Sequence, residues 1–454
     1  MKPTLRADQQ KGVEFLQGVF EKHKGALCAD IMGLGKTAQA IRLIKMRASF
    51  DMPVCIAAPA YLVYNWLDEL ELWGCKSEVC VIDSKKQVLH DADIYIGSYN
   101  MLASDDIHKQ LLKKTFSLLC CDEAHTFRTW NSIRSRRLLG TFQNKKSNLL
   151  YRSKNALLLT GTPIVNSVED IYNIVVRIAP QVLKKYDRMA FLAAFAGFLQ
   201  YSPYGVKPVG VKNEKQLHKL LSSVMLRRSE IPGIKEVIPA RIPLQLKGSK
   251  LKKFMKEEND FLQRYSIEVE DILKGQDSNT PAACEFAALR TQTALHKIPL
   301  LLPAIIDAYE CGLRPVVYCW HKAVQEALFT ELDRRCKGAN IAIVNGAQRP
   351  KCRASIVKKY QAGEIDILLP TIGALKEGVN LTEGRLVIFV ELPYTPAEVD
   401  QVIARFNRTG QKGLVVAKMF YFKDGIDAYI MRLLDRKRDV IQKSLRDTRF
   451  KGEA

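Results

Sequence analysis

Acidic residues are scarce in this sequence of 454 residues. There are 48 Asp and Glu against 69 Lys and Arg, a formal net charge of +21. A surface this positive attracts polyanions, with nucleic acid the first candidate and anionic lipid the second. Histidine is sparse too, with seven scattered singly, so no structural metal site is implied. The 11 cysteines include no C-x-x-C pair. Cys28, Cys55, Cys120, Cys121 and Cys319 fall inside apolar runs, as buried free thiols do. Long apolar runs are missing: Ile298-Pro-Leu-Leu-Leu-Pro-Ala-Ile-Ile306 is interrupted by two prolines, and a membrane-spanning helix needs about 20 apolar residues. The N-terminus, Met1-Lys-Pro-Thr-Leu-Arg-Ala-Asp-Gln9, has no apolar secretory core. A cytoplasmic or nuclear setting is therefore expected, with no membrane. There is no short-period repeat and no low-complexity tail.

What is present is globular: 47% hydrophobic and 26% charged residues, in a length that suggests roughly two to four domains. Val54–Ala58, Ile94–Ile96, Leu118–Cys121 and Ala156–Thr160 read as buried parallel strands, each followed by a polar turn and a helix-like segment. The rhythm returns at Val316–Cys319, Ile341–Val344, Ile365–Leu369, Leu386–Val390 and Ala417–Tyr421. The fold class is α/β, with two parallel sheets in series. Between them, residues 181–226 and 251–295 are expected to be helical insertions. The Pro232-Gly233 turn and the extended Val237–Leu244 put the boundary near 227–245. The first lobe is thus expected over 1–226. The inter-lobe segment, second lobe and C-terminal helix then occupy 227–454.

Three motifs carry chemistry. Asp30-Ile-Met-Gly33-Leu-Gly35-Lys36-Thr37 can cradle a nucleotide phosphate on backbone N–H groups at a helix start. Lys36 would reach the β/γ-phosphates and Thr37 would ligate Mg2+, although Asp30 stands where the first glycine of G-x-x-x-x-G-K-[ST] is usual. Asp122-Glu123-Ala-His125 follows an apolar strand, where a carboxylate points into the ligand crevice. Asp122 would hold Mg2+ and Glu123 would orient and deprotonate water. Arg405 and Arg408 lie three apart and on a helix would share a face. Arginine supplied to a transferring phosphate is worth several orders of magnitude in rate. Thr160-Gly-Thr162-Pro163 follows another apolar strand and its hydroxyls could relay the state of the γ-phosphate.

Order and spacing make the chain similar to the Swi/Snf family of DNA translocases in helicase superfamily two. Asp-x-Met-Gly-Leu-Gly-Lys-Thr is that family's phosphate loop. Leu5-Arg-Ala-Asp-Gln9 resembles its adenine-reading segment, Met225-Leu-Arg-Arg228 its inter-lobe segment, and Gly378-Val-Asn380-Leu and Gln401 to Gln411 its later motifs. Ala58-Pro59, Trp66 and Gly97-Ser98-Tyr99 also match. His321-Lys322 and Leu295-His-Lys-Ile298 most resemble the annealing-helicase and fork-remodelling branch.

The resemblance implies two tandem RecA-like lobes (parallel sheets flanked by helices) with helical insertions between them. It implies ATP and Mg2+ as cofactors and DNA, duplex or branched, as partner; a monomer is compatible with it. Gln9, Gly33, Gly35, Lys36, Thr37 and Gln401 would hold the nucleotide, and His125, Thr160, Thr162 and Gly378 would couple. Ser98, Tyr99, Asn166, Thr371, Asn380, Arg134 and Arg137 would meet the DNA backbone. Arg136, Lys252, Lys253, Arg436, Lys437 and Arg438 could join them. Five positions depart from the family pattern: Asp8, Tyr394, Asn407, Leu375 and Lys376. Three functions are open: a duplex-DNA translocase that remodels branched or protein-bound DNA, a strand-unwinding DNA or RNA helicase, and an ATP-gated recruitment module. The intact Lys36, Glu123, Arg405 and Arg408 argue against the last. The Met-Leu-Arg-Arg segment and the form of the phosphate loop favour the first.

Overall fold

The computed structural model describes the chain apart from residues 1–2, 50, 61, 142–146, 203–204, 231–236, 246–247, 266–268, 270–271, 273–279, 376–379, 408–410, 412 and 446–454. It divides into two compact units, residues 1–232 with 437–454, and residues 233–436.

The first unit is built on a seven-stranded parallel sheet. Its strands are β1 (Gly25–Cys28), β2 (Val54–Ala58), β3 (Val79–Ile82), β4 (Ile94–Ser98), β5 (Phe116–Cys121), β6 (Ser153–Leu159) and, after a hairpin, β9 (Met225–Leu226). They lie in the order β3-β4-β2-β5-β6-β1-β9. Every residue of β1, β2, β4 and β5 is buried. A parallel sheet covered on both faces requires such continuous apolar runs. The cysteines of these strands pack there as small hydrophobes, Cys55 opposite Leu119. β9 has only two residues and exists through its pairing with β1, Leu27 opposite Met225. No periodicity could announce it.

The stretch 181–226 is not wholly helical. Helices at Arg188–Phe195 and Glu214–Leu221 flank an antiparallel hairpin of β7 (Phe198–Ser202) and β8 (Gly205–Val209). Phe198-Leu-Gln-Tyr-Ser carries two aromatic residues, Gly205 opens the return strand, and cross-strand pairing overrides the helical reading. Phe198 and Tyr201 are left exposed on it. Residues 437–454 also belong to the first unit, where Val440, Ile441 and Leu445 join the core. An amphipathic stripe does not say which core it covers.

The second unit holds a six-stranded parallel sheet. Its strands are β10 (Ala240–Leu244), β11 (Val316–Tyr318), β12 (Ile341–Val344), β13 (Ile367–Pro370), β14 (Leu386–Phe389) and β15 (Val416–Phe422), in the order β10-β15-β14-β11-β13-β12. The extended Val237–Leu244 segment supplies β10, in register with β15 (Ala240 opposite Lys418). Helices Ser249–Arg264 and Pro281–Glu310 pack beside this sheet. A buried polar cluster ties them to the helix Gly425–Leu445. Lys297 pairs with Asp427 at 3.0 Å, and Glu258 accepts from Ile426 N–H at 3.0 Å and from the Thr293 hydroxyl. No described helix is long and apolar enough to cross a membrane.

Candidate functional site

In the first unit the chemistry-bearing segments all follow the carboxyl ends of strands. Residues 29–37 follow β1, Pro59 follows β2, Tyr99 follows β4, Asp122-Glu123 follow β5, Thr160–Thr162 follow β6 and Arg227-Arg228 follow β9. This is the edge at which open α/β sheets take ligands.

The phosphate loop turns through Gly33 (φ 90°) and Gly35 (φ 74°) into the helix Lys36–Lys45. At Gly35 a side chain would also collide with Gln9, whose Nε2 lies 2.2 Å from the position of a Cβ. The loop leaves the N–H groups of the helix start as an anion cradle. Lys36 Nζ donates to the carbonyls of Asp30 at 2.9 Å and Ile31 at 3.3 Å. Burial pushes its pKa down, against the pull of Glu123. Thr37 is the next residue of the same first turn. Gln9 is nearly buried; its amide donates to Leu34 O at 3.3 Å and accepts from Arg6 N–H at 3.0 Å. Gln9 thus fixes the loop itself.

Asp30 explains the missing glycine. It is fully buried and takes a fork of donors from Arg228: Nε at 3.0 Å and 3.1 Å, the backbone N–H at 3.0 Å, and Nη2. Gln39 adds a donor at 3.3 Å and receives Arg228 Nη2 on its own Oε1 at 3.1 Å. A Cβ on Gly12 would sit 2.0 Å from that Oε1, so the glycine lets the amide approach. Arg227 adds a hydrogen bond to Gly161 O at 2.9 Å and another to Ala29 O. The Met-Leu-Arg-Arg segment therefore braces the phosphate loop, a role that spacing alone did not reveal.

Asp122 and Glu123 are adjacent carboxylates held by different partners. Asp122 accepts from Trp66 Nε1–H at 2.9 Å and from Glu123 N–H at 2.9 Å. Burial, with the neighbouring Glu123 charge, pushes its carboxyl up to about 6. The Tyr99 hydroxyl donates to the Asp122 carbonyl, and its ring packs edge-on against Phe127. Tyr99 is thus buried beside the acidic motif rather than open to a partner. Glu123 has a left-handed backbone (φ 52°). That conformation costs a non-glycine residue about 1–3 kcal/mol and marks functional turns. Its Oε2 lies 3.1 Å from His125 Nδ1, which the Thr160 hydroxyl approaches at 3.5 Å. Thr160 Oγ1 also accepts from Thr162 N–H at 3.1 Å. A continuous polar path therefore runs from the turn after β6 to Glu123. Arg177, which sequence reasoning missed, pins this region from Val168–Ile178. It donates to Phe127 O at 3.3 Å and Trp130 O at 3.1 Å and lies 4.0 Å from the Trp130 ring centroid.

These residues fit Mg-ATP. Lys36 and the helix start suit the β/γ-phosphates, and Thr37 and Asp122 offer the hard oxygen donors that Mg2+ prefers. Asp122 is a buried carboxylate next to a second one, an arrangement that a divalent cation would relieve.

The remaining candidates are dispersed. Ser98 caps the turn Tyr99–Leu102, accepting from Met101 N–H at 3.3 Å. Asn166 lies just before the helix Val168–Ile178, with its Oδ1 buried and unbonded among the described residues. Arg134 and Arg136 are exposed, while Arg137 is tied to Asp105 and the Ala103 carbonyl. Lys252 and Lys253 are exposed, but Lys437 is buried, which removes it from the surface set. In the second unit Gln401 is buried in the helix Pro396–Ile403, its Oε1 without a hydrogen-bond partner among the described residues. Arg405 lies beyond the end of that helix, so the shared helical face expected for the arginines does not form at Arg405. Arg408 and Gly378 are outside the described residues, as are Lys376, Pro232 and Gly233. Thr371 is nearly buried at the end of β13, and Asn380 is exposed.

Residues 8–299 match the SNF2-related domain and residues 297–410 the helicase conserved C-terminal domain. The chain is 26% identical to the DNA annealing helicase and endonuclease ZRANB3 of Homo sapiens, over 100% of this chain and 41% of that protein. It is 27% identical to an uncharacterized ATP-dependent helicase of Mycoplasma pneumoniae, over 97% of this chain and 42% of that protein. It is 25% identical to the SWI/SNF-related matrix-associated actin-dependent regulator of chromatin subfamily A-like protein 1 of Xenopus tropicalis, over 98% and 46%. The chain thus spans less than half the length of these relatives. The Sulfolobus solfataricus SWI2/SNF2 ATPase core in complex with dsDNA shares 21% identity at a TM-score of 0.44, covering 98% of this chain and 94% of that one. With the domain matches spanning nearly all the motifs, the two parallel-sheet units are tandem RecA-like lobes, and the chain belongs to the SNF2-related family of ATP-hydrolysing, helicase-type motors.

Proposed function

We propose that the chain is an ATP-driven DNA translocase that remodels branched or protein-bound DNA, by fork remodelling, branch migration or annealing. The observation that carries the reading is the polar path from Thr162 through Thr160 and His125 to Glu123. It gives the catalytic carboxylate a mechanical input. The annealing-helicase and SWI/SNF-related relatives support the substrate class, and the +21 charge suits phosphate-backbone contacts.

When bound, Mg-ATP supplies the phosphoanhydride whose cleavage drives the motor. Lys36 and the N–H groups of the helix Lys36–Lys45 hold its phosphates, and Thr37 and Asp122 hold the metal. Glu123 takes the proton of the attacking water, oriented by His125. On the second unit, Gln401, Arg405 and Arg408 are the proposed contacts to nucleotide, and Gln9, Gly33 and Gly35 complete the set on the first. Ser98, Asn166, Thr371, Asn380 and Arg134 are the proposed backbone contacts. Arg137 and Tyr99 act by supporting them. Gly378 couples the second lobe, and the setting is cytoplasmic or nuclear.

One observation favours a second reading. The β7–β8 hairpin carries exposed Phe198 and Tyr201, and exposed rings can stack on separated bases. That would make the chain a strand-unwinding helicase. A synthetic four-way junction and a forked duplex, each offered with ATP, tell the two apart. Junction migration without release of single strands supports the translocase. Unwinding of the plain fork, lost in Phe198→Ala/Tyr201→Ala, supports the helicase and counts against remodelling.

A further inference from the structure

A buried cation without a counter-charge stands behind the acidic motif. Arg177 lies in the last turn of the helix Val168–Ile178 and is 8% exposed. No carboxylate pairs with it among the described residues, and burial pushes its pKa down to about 10. Its Nε has no hydrogen-bond partner among the described residues. The guanidinium still carries its charge near neutrality. Taking such a charge out of water without a paired anion is costly. Packing does not require it, since the helix around it buries Ile174, Val175, Val176 and Ile178.

What the guanidinium holds is backbone. Nη1 donates to Phe127 O at 3.3 Å and Nη2 to Trp130 O at 3.1 Å, and its carbon lies 4.0 Å from the Trp130 ring centroid. One helical turn earlier, Asn173 Nδ2 donates to Arg128 O at 2.7 Å. Residues four apart share a helix face, so the two side chains reach one target, the carbonyls at 127, 128 and 130. These belong to the 3-10 turn Ala124–Arg128 and the chain leaving it. That turn carries His125 and starts from the left-handed Glu123. A short 3-10 turn has poor internal hydrogen-bond geometry, so donors from outside fix where it sits.

The other end of the same helix grips the turn after β6. Asp170 Oδ2 accepts from Val165 N–H at 2.9 Å, Asn166 N–H at 2.6 Å and Ser167 N–H at 3.4 Å. That segment directly follows Thr160–Pro163. The helix has 11 residues and spans about 16 Å. Thr160 meets His125 at 3.5 Å, the longest step of the side-chain path to Glu123. The helix is a second connection between the same two turns, and a rigid element carries a displacement further than a loose side-chain contact.

We propose that Arg177 and Asn173 are positioning residues for ATP hydrolysis: through the carbonyls of Phe127, Arg128 and Trp130, they let the helix Val168–Ile178 set His125 against Glu123 as the turn after β6 moves. This rests on the reading of Glu123 as the group that takes the proton of water. Neither side chain needs to touch nucleotide, because both act on the backbone that carries His125.

The test is steady-state hydrolysis of Mg-ATP by the full chain, with and without duplex DNA, in Arg177→Met, Arg177→Lys and Asn173→Ala, each also combined with His125→Ala. A misplacement of about 1 Å at a reacting group can cost about a hundredfold in rate. Arg177→Met should lower kcat with DNA by about tenfold or more, with KM for ATP within about twofold of wild type. Arg177→Lys keeps a donor and should recover part of the loss. In the His125→Ala background, Arg177→Met should cost less than about twofold further, because both act at one step. Thermal melting and binding of a fluorescent ATP analogue check that each variant folds. Asn173→Ala removes a single hydrogen bond and repeats the cycle if Arg177→Met does not fold. Wild-type kcat in the folded variant, or losses that multiply in the His125→Ala background, would overturn the proposal and leave the role of Glu123 intact. Wild-type hydrolysis by Glu123→Gln would overturn that role and the proposal with it.

Discussion

Each sheet buries a carboxylate just beyond a strand end, Asp30 after β1 and Glu391 after β14, and the two are held differently. Asp30 is clasped by the guanidinium of Arg228 and the amide of Gln39, groups with no proton to lose near neutrality. Glu391 is clasped by a histidine and backed by Arg290. The first arrangement is a permanent brace for a loop that must keep one shape. The second fixes the ring of His321, which is partly exposed. A buried charge thus serves rigidity in one unit and the orientation of a surface ring in the other.

The contrast breaks hardest at Arg228. Arg228→Ala leaves Asp30 buried and uncompensated, and the first unit should lose about 3–5 kcal/mol. Denaturant unfolding followed with a fluorescent nucleotide should show a lower midpoint and lost nucleotide binding. Unchanged stability would mean that the brace is dispensable.

A third buried carboxylate sharpens the comparison, because Glu258 has no salt-bridge partner among the described residues. Burial pushes it up to about 7 from 4.5, against the hydrogen bonds from Thr293 and Ile426 N–H. The folded state therefore holds a proton that the unfolded state releases. This contribution to stability is complete below about 4.5 and is lost as pH rises through about 7. Glu258→Gln should flatten that decline, worth on the order of 3 kcal/mol, in melting temperatures measured across the window. A decline equally steep in the variant would put its origin elsewhere.

The smallest expected effect is at Trp66→Phe, which removes one donor from Asp122. An unsatisfied buried acceptor costs about 1–3 kcal/mol. The Mg2+ concentration for half-maximal ATP hydrolysis should change while the fold persists. A variant identical to wild type in its Mg2+ dependence would show that the indole does not tune the metal ligand.

The strands were legible where burial makes them continuous apolar runs, as at Val54–Ala58 and at Leu118–Cys121 within the strand Phe116–Cys121. β9 was not, since two residues carry no pattern and its pairing with β1 is tertiary. The hairpin at 198–209 was hidden by helical neighbours on both sides. At the site, local motifs such as Gly-Lys-Thr and Asp-Glu could be read because their members are adjacent in sequence. Arg228 was legible as part of a motif, but not as the partner of Asp30, because 198 residues separate them. Arg177, Arg290 and Glu391 were missed for the same reason. Nothing beside them in the chain distinguishes a bracing charge from a solvated one.

ATP hydrolysis by the purified chain with duplex DNA, forked DNA, single-stranded DNA, RNA or no nucleic acid, beside Glu123→Gln, tests the central claim most directly. The account predicts strong stimulation by duplex or forked DNA and its loss in the variant. Stimulation by RNA alone, or by nothing, would contradict it.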